Sequence, residues 1–111
     1  MNRILLVCEK EKSAQTLQTL LNRFLQAEIV RASQLQQAQA LLSREVFRLV
    51  IINLPFHGEN MEAFALTAAQ STSSGILLLC PQDSAQCLLE RCLPRGILVV
   101  SKPLSQPLFV Q

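Results

Sequence analysis

Five short apolar runs do most to limit what this chain can fold into: Ile4–Cys8, Glu28–Ala32, Leu49–Asn53, Ile76–Cys80 and Ile97–Val100. Four of them show no polar alternation, Asn53 merely closing its own, as parallel strands covered on both faces require. Glu28–Ala32 admits polar residues and is expected at the edge of a sheet. All five are strand-length, far below the stretch needed for a membrane span or a secretory leader. A reducing cytoplasm is therefore the expected setting, with Cys8, Cys80, Cys87 and Cys92 as free thiols at irregular spacing.

The intervening segments have helical spacing. Leu17, Leu20, Leu21, Phe24 and Leu25 form one stripe within Ser13–Leu25, and Leu35, Ala38, Leu41 and Leu42 form a second that Ser33 can cap. Asn60 precedes a third helix with Phe64, Ala65 and Ala68 inward. Asp83 or Ser84 opens a fourth, with Leu88, Leu89 and Cys92 on one side, and Leu93-Pro94 closes it. Gly75 and Gly96 stand where helix-to-strand turns tolerate positive φ. Strand and helix alternate, and right-handed crossovers turn such an order into a three-layer α/β/α sandwich. The expected sheet is five parallel strands in the order 2-1-3-4-5, with a crevice at the carboxyl ends of its first and third strands.

The whole chain, 1–111, fits one domain that needs neither disulfide nor metal to fold. Half its residues are apolar, which argues against disorder, and a net charge of +2 gives no case for nucleic-acid binding by this segment. After Lys102-Pro103 a fifth helix begins, with Ser105 as cap and Pro107 in its first turn, and stops at Gln111 after barely one turn. The expectation is a domain cut from a longer protein, its fifth helix truncated.

Cys8-Glu9, Asn53, Cys80 and Ser101-Lys102-Pro103 all fall at the crevice. The order and spacing of "ILLVCEK", "LVIINLP", "ILLLC" and "VVSKP" resemble the receiver domain of two-component response regulators, which implies the flavodoxin-like (CheY-like) fold. In that family two acidic residues after the first strand bind Mg²⁺, an aspartate takes the phosphoryl group, a Ser/Thr ends the fourth strand and a lysine follows the fifth. By position the resemblance puts Cys8 and Glu9 at the acidic pair, Asn53 at the acceptor, Cys80 at the hydroxyl and Lys102 at the lysine. Val99 stands where many receivers carry a switch aromatic. A carboxylate is a nucleophile and a neutral amide a very poor one. Mg²⁺ prefers carboxylates, of which Glu9 alone remains, and a thiol is a weaker donor than a hydroxyl. The resemblance thus implies a non-catalytic pseudo-receiver with no metal and no cofactor.

"VIINLP", "GILLLC" and "ILVVSKPLSQPLFVQ" resemble more closely the degenerate amino-terminal receiver of ANTAR-type transcription antitermination regulators. That resemblance implies a missing carboxy-terminal domain as the part that contacts RNA. The implied partners are the chain's own output domain or a second copy in a homodimer, with a sensor kinase or regulatory protein upstream, and no membrane. Contacts would run through the face of the fourth helix, fifth strand and fifth helix. The alternative is a phosphorylatable or ligand-sensing receiver of a two-component transcriptional regulator.

Plainer readings stand beside these. Lys102 can simply pair with Glu9, a contact between its ammonium and the Asn53 amide oxygen being compatible with either role, and Glu9 can be a solvated charge near a helix start. Cys8 and Cys80, two strand spacings apart, lie beyond disulfide reach and read as structural thiols, as do Cys87 and Cys92. His57, the single histidine, has no companion ligands. No phosphate-cradling glycine loop and no nucleophile elbow is present.

Overall fold

A computed structural model describes residues 2–102. The elements run β1 (Arg3–Val7), α1 (Glu11–Phe24), β2 (Glu28–Ala32), α2 (Leu35–Arg44), β3 (Leu49–Asn53), α3 (Met61–Ser71), β4 (Gly75–Cys80), α4 (Ala85–Cys92) and β5 (Ile97–Ser101). Single 3₁₀ turns flank α4, at Gln82–Ser84 and Leu93–Arg95. All strand pairs are parallel, and the order is β2-β1-β3-β4-β5. This is the expected flavodoxin-like sheet, with β2 at its edge.

Two apolar layers hold the sheet. On one face Leu5, Val7, Val50, Ile52, Ile76, Leu78, Cys80 and Ile97 pack with Ala38 of α2, Phe64 and Ala65 of α3, and Leu88 and Cys92 of α4. On the other face Ile4, Leu6, Cys8, Ile51 and Leu79 meet Ala14, Leu17 and Leu21 of α1. Each fully buried leucine or isoleucine contributes roughly 1.5–3 kcal/mol by leaving water. Leu98, on the α1 side of β5 by the alternation of that strand, stays 56% exposed. At the amino-terminal edge Arg3 pairs with Glu28 and Glu45 and lies over the Phe47 ring, tying β1 to the start of β2 and the end of α2.

Several local expectations need adjusting. Strand β1 ends at Val7, so Cys8 follows the strand, although its N–H still donates to the Ala32 carbonyl. Helix α1 starts at Glu11, two residues before Ser13, and Leu25 is its C-cap. Ser33 does not cap α2; its N–H and hydroxyl both donate to the Gln37 side chain. Asn60 does cap α3, accepting from Ala63 N–H. Helix α4 is entered through a 3₁₀ turn, and Gly96, at φ 81°, makes the left-handed turn into β5. Gly75 has no positive φ and is simply the first residue of β4. The expected turn around Ser105 and Pro107 lies outside the described residues, as does Pro103.

Candidate functional site

The strand register sets the crevice. Asn53 ends β3 level with Leu79 of β4, and Cys80 ends β4 level with Ser101 of β5. Past the strands the ladder continues, with Leu54 N–H donating to Leu79 and Lys102 N–H to the Cys80 carbonyl. Lys102 is thereby held one residue past β5, and its side chain crosses the end of β4 to reach β3.

Asn53 is the centre of the site. It is the buried polar residue among the described ones, at 7% exposure. Its amide oxygen accepts from the Lys102 ammonium at 3.1 Å, and its amide nitrogen donates to the Cys8 sulfur at 3.4 Å. Lys102 also donates to the Leu54 carbonyl at 2.5 Å. The amide thus uses both its ends, joining, from the end of β3, the groups that follow β1 and β5. A carboxylate could accept from Lys102 in the same way but could offer Cys8 no proton. Cys8 is fully buried, with its thiol 3.5 Å from the Lys10 carbonyl.

Glu9 does not pair with Lys102, contrary to the plainer sequence reading. It accepts from the His57 backbone N–H at 3.3 Å and meets the His57 ring Nδ1 at 2.8 Å. That hydrogen bond, first among the causes, holds the Glu9 carboxyl below its ordinary value of 4.5. His57 therefore has a role the sequence did not signal: it fastens the loop after β3 to the end of β1. Arg31 of β2 was also missed. Its guanidinium donates to the Cys8 and Glu9 carbonyls at 3.4 Å each, while its Nε is buried without a partner.

Cys80 and Val99 turn away from the crevice. The Cys80 thiol is fully buried among the residues under α3 and α4 and lies 3.7 Å from the Val100 carbonyl. Burial pushes its pKa up, the nearby Lys102 charge opposing only in part. Burial likewise raises Cys92, whereas Cys87 is exposed. Val99 packs against the same layer as Cys80.

As a metal site the crevice is poorly equipped. Its one carboxylate is committed to His57, the amide oxygen of Asn53 to a cation, and Cys8 is a soft donor unsuited to Mg²⁺. Among the described residues no group of three His, Cys, Asp or Glu side chains converges. The residues do not fit the Mg²⁺ of a phosphorylatable receiver. On the α1 side the crevice opens into a cavity of about 820 Å³ lined by Lys12, Thr16, Leu17, Leu20, Gln82 and Lys102, among others. No described helix is long and apolar enough to cross a membrane.

The chain matches no protein-family model and no curated protein. Solved structures do match it. The receiver domain of the TMAO respiratory system response regulator TorR superposes with a TM-score of 0.85 at 15% identity, over 99% of this chain and 91% of that one. A two-component response regulator from Clostridium difficile gives 0.82 at 16% identity, over 97% and 88%. The adenylate cyclase from Rhodopirellula baltica gives 0.81 at 19% identity, over 96% and 81%. At such identities the likeness is one of fold: the chain has the fold of response-regulator receiver domains.

Proposed function

We propose that this chain is a pseudo-receiver: a non-catalytic, cytoplasmic signalling domain that acts by protein contact and does not take a phosphoryl group. One observation carries the reading. Asn53, at the acceptor position, is buried with its amide bridging Lys102 and Cys8. A phosphoryl acceptor needs an electron-rich oxygen that is free to attack, and the Asn53 oxygen is neutral and already accepts from an ammonium. The acidic pair is reduced to Glu9, which holds His57, and the position of the reading hydroxyl is taken by Cys80, whose thiol faces the core. Val99 offers no aromatic ring to rotate, so a signal would travel by other means.

The output in this reading is an RNA-binding antitermination domain carried elsewhere in the protein, as the ANTAR-like segments suggest. Contacts would be made with that domain, with a second copy, or with an upstream kinase or regulator. The exposed β5 residue Leu98 is available for them.

Incubation with acetyl phosphate and Mg²⁺, followed by intact mass measurement, tests the proposal. No gain in mass is expected. A stoichiometric gain of one phosphoryl group would overturn it and favour the phosphorylatable alternative.

A further inference from the structure

An asparagine in place of an aspartate does more than lack a nucleophile; it leaves the Lys102 ammonium beside a neutral amide instead of a carboxylate. The ion pairs among the described residues are Arg3 with Glu28 and Glu45, His57 with Glu9, and Arg91 with Glu62. Neither Lys102 nor Lys12 has a carboxylate partner among the described residues. The two acceptors of the Lys102 ammonium among those residues, the Asn53 amide oxygen and the Leu54 carbonyl, are both neutral. Glu9 cannot supply the missing charge while it holds the His57 ring and N–H.

That ammonium borders the 820 Å³ cavity, whose size lies within the range of small-molecule sites, about 300–1,000 Å³. Lys12 and Ser13, from the first turn of α1, line the same space, together with Gln82 from the turn after β4. Leu17, Leu20 and Pro81 supply an apolar wall. Two lysines, an apolar wall and, among the described residues, no lining carboxylate make an amphipathic anion the complementary guest. A doubly charged phosphate would give up more hydration here than a single carboxylate, with only one part-buried cation to receive it.

We propose that the cavity between α1 and the β4–β5 end of the crevice binds a small organic carboxylate, with Lys102 pairing its charge and Leu17, Leu20 and Pro81 against its apolar body. This rests on the reading that Asn53 carries no phosphoryl group, and it gives the pseudo-receiver a chemical input in place of phosphorylation.

The test uses the 111-residue chain without acetyl phosphate, and four probes: benzoate, benzylamine, benzyl alcohol and inorganic phosphate. Binding is followed by NMR at the Asn53 side-chain amide and at the backbone amides of Lys12, Ser13 and Gln82. Benzoate should shift these signals saturably, and the other three should bind at least about tenfold more weakly: benzyl alcohol lacks the charged hydrogen bond, benzylamine carries the wrong charge, and phosphate lacks the apolar body and gives up more hydration. Asn53→Asp, which gives Lys102 an internal counter-charge, should weaken benzoate about tenfold, whereas Glu9→Gln should leave it unchanged. Lys102→Met should abolish the shifts; should it fail to fold, Asn53→Asp decides alone. Equal binding of benzoate and benzyl alcohol, phosphate binding as tightly as benzoate, or an unaltered affinity in Asn53→Asp would each overturn the proposal. Absence of benzoate binding with no phosphoryl gain in the mass experiment would sink this inference alone. A phosphoryl gain would sink the pseudo-receiver reading whatever benzoate does.

Discussion

Asn53 and Glu9 approach the crevice from neighbouring strands, β3 and β1, and do different work there. Asn53 is buried at 7% exposure and joins Lys102 to Cys8 through an uncharged amide. Glu9 is part-exposed, with its partner His57 69% exposed, and its contact with the ring and backbone N–H ties down one surface loop. The inner residue is a neutral structural bridge, while the outer one spends its carboxylate on a neighbour. The difference teaches that depth sets how much each bond matters: a buried polar group left unpaired costs far more than an exposed pair that water can replace.

The largest effect should therefore come from the inner half. Replacing Asn53 by leucine keeps the branched shape, with somewhat larger groups, but removes both ends of the bridge, leaving Lys102 with the Leu54 carbonyl alone among the described residues. We expect a loss of about 2–3 kcal/mol in urea unfolding. A change near zero would mean that the buried bridge contributes no more than the exposed pair.

The outer half should give a smaller and pH-dependent effect. The folded-state pKa of Glu9 lies below 4.5 because His57 hydrogen-bonds to it. Its contribution is then fully present above 4.5, the ordinary carboxylate value, and is lost as pH falls through the depressed folded value. Glu9→Gln lacks that contribution. Its unfolding midpoint should lie slightly below that of the parent at neutral pH, and the two should converge in acid. A gap that widened on acidification would reverse the sign and refute the assignment.

The strands and their order were legible in the sequence because uninterrupted apolar runs separated by helical stripes leave few alternatives. Asn53, Lys102 and Glu9 were legible as crevice residues for the same reason. Three features were hidden. The facing of Cys80 was unreadable, because a strand buried on both sides shows no alternation to orient it; the structure places it with Leu78 under α3 and α4. The His57 contact depends on the path of a loop, which no periodicity reports. The Lys102–Asn53 contact fitted either sequence reading of Lys102; what was hidden is that the ladder after β4 and β5 delivers the ammonium to Asn53 and Leu54 and leaves Glu9 to His57.

In the proposed reading the crevice holds a neutral bridge, Lys102–Asn53–Cys8, where a phosphorylatable receiver would assemble a metal site. Titrating the unmodified chain with Mg²⁺ while following the Asn53 side-chain amide and the Glu9 carboxylate by NMR tests it most directly. The account predicts no saturable shift of either signal through the millimolar range, with the Lys102–Asn53–Cys8 bridge undisturbed. Saturable movement of both signals together would contradict it, since that would require a metal drawing Glu9 away from His57 and the Asn53 oxygen away from Lys102.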